Sequence, residues 1–194
     1  MIRDKSIMLY IMRHGQTDAN LGGQIQGQND VPLNDTGRAQ VAAAVEKIVP
    51  LGIKRIVSSN LSRAAETAGI IASQLHITVE YDPRLREYNF GVLSKMQPGQ
   101  IDLDTIGVLL STPQKINAEP IPDMFARVSG FLNEIDKNQN TLVVSHGGTM
   151  RVMMYYLQSG KDMNPVEFVK FARGQHIGNA QIFAFKNKKF ELVR

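Results

Sequence analysis

Two short apolar runs, far apart in the chain, end in the same pair of residues. Residues 7–12 close in Arg13-His14-Gly15, and residues 141–144 close in Ser145-His146-Gly147-Gly148. Each run is too short for a helix and reads as a buried strand. Strands separated by long helical stretches pair in parallel, which brings their carboxyl ends to one edge of a sheet. Both imidazoles and Arg13 then share the edge at which open α/β sheets bind ligands. Two histidines and an arginine suit an anion, and a nucleophilic histidine makes phosphoryl transfer the leading chemistry.

The intervening chain alternates in the same way. Asn34-Asp35-Thr36 is a capping sequence for a helix over 37–49, with Val41, Val45, Ile48 and Val49 on one face and Pro50 and Gly52 as the stop. A strand is expected over 53–57, a helix over 61–76 capped by Ser58-Ser59-Asn60, and a short strand over 77–80. Asp123 is expected to cap a third helix in which Phe125, Val128, Leu132 and Ile135 share a face. A strand over 141–145, a helix over 149–157, and a terminal hairpin of 180–185 and 190–193 complete the pattern. It predicts an α/β fold: a three-layer α/β/α sandwich around a mostly parallel central sheet. Residues 90–122 carry Pro98, Gly99, Pro113, Pro120, Pro122 and one short helix over 102–110, and read as an irregular cap over the site. With no repeat, low-complexity tract or linker, residues 1–194 read as one domain with a cap segment at about 92–122.

Composition removes several classes. No apolar stretch approaches the ~20 residues needed to span a bilayer. Residues 7–12 are too short for a signal-peptide core and lack a small-residue cleavage site, so no membrane association and a cytoplasmic location are expected. The absence of cysteine excludes disulfides, thiolate nucleophiles and cysteine-based metal sites together. Net charge is +4, but the basic residues are scattered. The one cluster, Lys186, Lys188 and Lys189, reads as a hairpin turn, so no nucleic-acid partner is expected. None of His14, His76, His146 and His176 has the i,i+3 or i,i+4 spacing of a metal pair, so no metal is expected. The sequence carries no signal for oligomeric state.

Individual residues admit plainer readings. His14 and His146, each taken alone, suit structural histidines at strand ends; flanking Arg13 and the glycines favour an anion site. The helix opened by Gly147-Gly148 offers free N–H groups to an anion. Arg63, one turn after Ser58-Ser59, either reaches a phosphate over the sheet edge or pairs with Glu66 at i,i+3 on an exposed face. Glu87 is either a proton donor to a leaving oxygen or a solvated loop carboxylate. Tyr88, Met96 and Leu109 either line a partly apolar mouth or belong to the core.

The motifs occur in a recognisable order. Arg13-His14-Gly15-Gln16-Thr17-Asp18-Ala19-Asn20 comes first, then Gln26-Gly27 with Asp30-Val31-Pro32-Leu33-Asn34 and Gly37. Ser58-Ser59-Asn60-Leu61-Ser62-Arg63-Ala64-Ala65-Glu66-Thr67-Ala68 follows, then Leu85-x-Glu87 with Phe90-Gly91. Ser145-His146-Gly147-Gly148 and Asn179-Ala180 close the series. In this the sequence resembles the histidine phosphatase superfamily, in its phosphoglycerate-mutase-like branch. The resemblance implies that His14 is the phosphorylated nucleophile and Glu87 the proton donor. It implies a phosphate pocket of Arg13, Arg63 and His146, supported by Asn20, Gln26, Gly27 and the Gly147 N–H. It implies no metal or other cofactor, a phosphorylated small-molecule substrate, and a layered α/β/α fold.

The departures from the family pattern lie in or near the cap. Gln24 stands where many members carry Arg, Val92-Leu93-Ser94-Lys95 replaces a Glu-Gly continuation, and Ala118-Glu119-Pro120 stands where Gly-Glu-Ser is common. A mutase needs a second cationic pocket, and between Ser94 and Pro122 the chain offers only Lys95 and Lys115, with Arg84 and Arg86 nearby. Metal-independent hydrolysis of phosphomonoesters is therefore the expected function. Mutase-type phosphoryl transfer and a non-catalytic phospho-ligand-binding module are the alternatives.

Overall fold

The computed structural model describes residues 8–136, 138–160 and 164–194. Ile7, which opens the first expected strand, lies outside them. The elements in chain order are β1 (Leu9–Arg13), α1 (Asp18–Leu21), α2 (Asp35–Ile48), β2 (Arg55–Ser58), α3 (Ser62–Leu75) and β3 (Val79–Tyr81). They continue with α4 (Leu103–Ser111), α5 (Ile121–Glu134), β4 (Thr141–Ser145), α6 (Gly147–Ser159), α7 (Pro165–Arg173), β5 (Ile182–Lys186) and β6 (Lys189–Leu192).

The strands form one six-stranded sheet in the order β3-β2-β4-β1-β5-β6. β1, β2, β3 and β4 pair in parallel, and β5 runs antiparallel to both β1 and β6. Buried on both faces, the central strands are continuous apolar runs, and their alternate side chains feed two cores. Ile11, Val57 and Val143 point into the core shared with α5 and α6. Met12, Ile56, Leu142 and Val144 point into the core shared with α2 and α3. The expected α/β/α sandwich is therefore the fold. No helix among the described residues is long and apolar enough to cross a membrane.

Several helix starts differ from expectation for identifiable reasons. Asn34 caps α2, its side chain accepting from the Gly37 N–H. Ser58-Ser59-Asn60, however, does not cap α3. Leu61 is the capping residue and has no side-chain bond to give, so Asp30 reaches across, Oδ1 accepting from Ser62 N at 2.7 Å. Asp123 does not cap α5 either; the helix begins at Ile121 after Pro120, with Asp123 in its first turn. Pro122, in that first turn, presets its own φ and lacks an N–H that would go unbonded there. Two helices, α1 and α7, were not anticipated. α7 packs Phe168 and Phe171 edge-on against Tyr155 of α6. Tyr88 and Leu109 do not line a mouth: Tyr88 is buried in the core with α5 and α6, and Leu109 packs against it.

The segment after Phe90 is three short 3-10 turns around α4. Its far end returns to its start. Gly91 has φ +56°, and a Cβ there would run into the backbone of Ile116 and Asn117, so only glycine fits.

Candidate active site

The register of β1 on β4 fixes the centre of the site. Arg13 lies opposite Ser145, and His14 N donates to the Ser145 carbonyl at 3.0 Å. His14 and His146 thus leave adjacent parallel strands at the same step, and their ring centroids stand 5.2 Å apart. Both rings are buried.

The chain around His14 sets its tautomer. Nδ1 lies 2.7 Å from the carbonyl of Gly15, so it carries the proton and donates. Nε2 is left with its lone pair, toward which Arg63 Nε donates at 3.3 Å. Burial, then the Arg63 and Arg13 charges, hold the His14 pKa well below its ordinary 6.5, so the ring is neutral. His146 is held neutral by the same causes, burial first and then Arg63. Its Nε2 meets Ser59 Oγ at 2.9 Å, while Nδ1 is buried with no protein partner among the described residues.

Arg63 is not an exposed helix residue. It is 1% accessible and anchored from behind, Nη1 donating to the Asn29 carbonyl and Nη2 to the Gly27 carbonyl. Burial pushes its pKa down to about 10 against the raising effect of Glu87 and Asp30. Glu66 pairs instead with Arg38, at 2.7 Å. Arg13 Nη1 donates to the Ile177 carbonyl, and its buried Nε has no protein partner among the described residues. No salt bridge of Arg13 or Arg63 occurs among the described residues. Two guanidiniums with no carboxylate paired to them, and orphaned polar atoms on Arg13 and His146, suit an anion.

Glu87 occupies the N-terminus of α6. Its Oε2 accepts from Gly148 N at 2.9 Å, and its Oε1 from Tyr88 N at 2.9 Å and Thr149 N at 3.1 Å. The N–H groups expected to await an external anion are thus largely taken by the protein's own carboxylate; the Gly147 N–H, at the first helical position, has no intrahelical partner. Of the remaining expected residues, Gly27 acts through its carbonyl on Arg63, and Gln26 is buried with Oε1 unbonded among the described residues. Asn20 does not bond a histidine ring. Its Oδ1 accepts from Asn179 Nδ2, which also donates to the His14 carbonyl, so it braces the loop behind.

Four further side chains build the site and were not anticipated. Thr67 Oγ1 accepts from Gly15 N and donates to the Arg63 carbonyl, joining the two loops. Arg151 binds the Ala172 and Gln175 carbonyls ahead of Ile177. Arg127 and Glu119 pair beside the Glu87 segment. Thr67 falls inside the Ser58–Ala68 motif and Glu119 at the place of a common Gly-Glu-Ser, but neither carries a role of its own in sequence; Arg127 and Arg151 look like surface charges.

Comparison with known proteins agrees with this geometry. The chain matches the histidine phosphatase superfamily (branch 1) over residues 9–194. It is 33% identical over 150 residues to "Probable phosphoglycerate mutase GpmB" of Proteus mirabilis, covering 73% of this chain and 70% of the relative. The corresponding protein of Salmonella paratyphi A is 35% identical over the same lengths. Among solved structures, a mycobacterial glucosyl-3-phosphoglycerate phosphatase complexed with VO3 superposes with a TM-score of 0.77, at 28% identity and 96% coverage of both chains. The phosphoserine phosphatase of Entamoeba histolytica, complexed with 3-phosphoglyceric acid, gives 0.76 at 25% identity, covering 97% of this chain and 95% of its own. From its motifs, its sheet and its paired histidines to these similarities, the chain belongs to the histidine phosphatase superfamily.

Proposed function

We propose that this protein is a metal-independent phosphatase that hydrolyses phosphomonoesters through a phosphohistidine on His14. Nε2 attacks phosphorus; the N–P bond forms as the ester P–O bond breaks, and the leaving oxygen takes a proton from the Glu87 carboxyl. Water then attacks phosphorus, its proton passes to the Glu87 carboxylate, the N–P bond breaks, and inorganic phosphate leaves. Arg13, Arg63, His146 and the Gly147 N–H hold the phosphoryl oxygens as charge spreads over them. Gln26, Gly27 and Asn20 support that pocket from behind. The segment at about 92–122 acts as its cap, and one phosphatase domain spans 1–194.

One observation carries this reading. His14 is neutral, its Nδ1 proton is committed to Gly15, and its unprotonated Nε2 accepts from Arg63. That is a nucleophile prepared in the reactive tautomer beside a cation that attracts the substrate.

Hydrolysis is favoured over transfer because the cations that would serve a second phosphate are few or engaged. Arg84 is bound by Asp82 and Glu134, leaving Arg86, Lys95 and Lys115. The names of the curated relatives favour a second reading, phosphoglycerate mutase-type transfer.

The test is phosphate release from a panel of phosphomonoesters with chelator present, comparing wild type with His14→Ala. Turnover by wild type alone, with one phosphoryl adduct in rapid-quench intact mass that His14→Ala lacks, is the expected result. Interconversion of phosphoglycerates outpacing phosphate release would favour the mutase reading. Vanadate binding without any turnover would leave a binding module.

A further inference from the structure

The acid-bearing segment has almost no backbone structure of its own, yet its carbonyls are bonded one after another. Arg127 Nη1 donates to the Arg84 carbonyl at 2.6 Å and the Arg86 carbonyl at 2.7 Å, and Nη2 to the Glu87 carbonyl at 3.2 Å. Its remaining N–H groups go to Glu119, Nε to Oε1 at 2.6 Å and Nη2 to Oε2 at 2.9 Å. All five donors of the guanidinium are used. Glu119 holds the other side of the segment: its Oε2 accepts from Asn89 N at 3.3 Å, and its own N–H donates to the Asn89 carbonyl at 2.8 Å. Ser145 Oγ takes the Leu85 carbonyl and Thr149 Oγ1 the Arg86 carbonyl, so β4 and α6 complete the frame.

The pair is mostly shielded, with side-chain accessibilities of 17% and 13%. Burying two charges is costly, and an apolar pair of similar volume often serves stability equally well. A fork that spends three donors on carbonyls flanking one carboxylic acid does something an apolar pair cannot. Proton donation to a leaving oxygen requires the acid within hydrogen-bond reach, about 2.6–3.2 Å.

We infer that Arg127 and Glu119 are positioning residues for Glu87, and that through it they set which leaving groups the site can expel. The inference rests on the proposed role of Glu87 as proton donor. Because Glu119 belongs to the segment between Phe90 and α5, the fit of that segment bears directly on the acid. An ester whose alcohol leaves easily needs little protonation and tolerates a misplaced acid; one whose alcohol leaves poorly does not. Lysine in place of Arg127 keeps the charge but not the five-donor fork.

The experiment compares 4-nitrophenyl phosphate, a good leaving group, with phenyl phosphate, a poorer one of similar shape. For Arg127→Lys and for Glu119→Gln, kcat/KM on phenyl phosphate is expected to fall about thirtyfold, part of the roughly 10²–10⁴ that a positioned acid supplies. The loss on 4-nitrophenyl phosphate is expected to stay under about threefold, with vanadate inhibition nearly unchanged, because the phosphate pocket is untouched. In a Glu87→Gln background, Arg127→Lys should add less than about twofold on phenyl phosphate, since residues acting through one group do not add. Equal losses on both esters, or a full further loss in the Glu87→Gln background, overturn the inference. Should Arg127→Lys not fold, Glu119→Gln carries the same comparison. If Glu87→Gln itself lowers both esters alike, it is the assignment of Glu87 that fails, whatever Arg127 does.

Discussion

His14 shows how much a single side chain inherits from its neighbours. Its pKa is lowered by burial and by two arginines, so the free enzyme keeps a neutral imidazole well into mild acid. The acid limb of kcat/KM assigned to this group is expected below pH 6.5, and a limb at or above that value would count against the assignment. Arg63 combines two duties, aiming at His14 Nε2 and closing the carbonyls of Gly27 and Asn29. Replacing it with alanine strands two buried acceptors at about 1–3 kcal/mol each. Arg63→Ala is therefore expected to weaken vanadate binding and also to lower Tm, by roughly 5–10 °C; titration calorimetry and a melting curve separate the two effects. A variant that melts as wild type and binds vanadate as tightly would contradict both.

Among the elements, α6 joins β4, Glu87 and the proposed phosphate pocket within one turn. Its Gly148 lies so close to Glu87 that a Cβ would collide with the carboxylate. Gly148→Ala should leave the fold intact, since alanine favours helices, yet displace Glu87 and, if Glu87 is the proposed acid, depress turnover of phenyl phosphate more than of 4-nitrophenyl phosphate. α3 depends on a borrowed cap, and Asp30→Ala is expected to cost about 1 kcal/mol, seen as a Tm lower by about 2–4 °C. These two helices mark where sequence reading succeeds and where it stops. The strand-to-helix alternation was legible because apolar spacing reports directly on which face is buried, and Asn34 was legible as a cap because it bonds its own helix. Asp30 was not, because the donor it satisfies lies 32 residues away along the chain. The pairing of Arg127 with Glu119 escaped for the same reason: Glu119 was visible at a motif position, but only folding sets the two, eight residues apart, against the Glu87 segment.

For the molecule as a whole, two neutral histidines in one buried site couple stability to pH. Once unfolded, His14 and His146 regain their ordinary affinity for protons near pH 6.5, whereas the native state holds both well below it. Above that pH both states leave the rings neutral and these groups contribute no slope. Below it the unfolded chain binds the extra protons and stability falls. Tm is expected to drop between pH 7 and pH 5.5, and the drop should shrink in His146→Gln; an unchanged slope there would assign the effect to other groups. Asp82 and Glu80, lowered by their arginines, act in a separate window beneath pH 4.5.

The pairing of β1 with β4 has a consequence for how the enzyme comes into being. The two histidines belong to strands separated by most of the chain, and only the ladder between Leu9–Arg13 and Thr141–Ser145 sets them side by side. A slip of one residue would turn one ring to the opposite face of the sheet. Residues 13–63 carry Arg13, His14 and Arg63, but His146 joins them only when that ladder closes, so catalytic power is expected to wait on the pairing. It is expected to return in a single phase, together with hydrogen-exchange protection of the β1 and β4 amides. Activity in this chain is thus a long-range property, as sensitive a reporter of correct strand alignment as any spectroscopic probe.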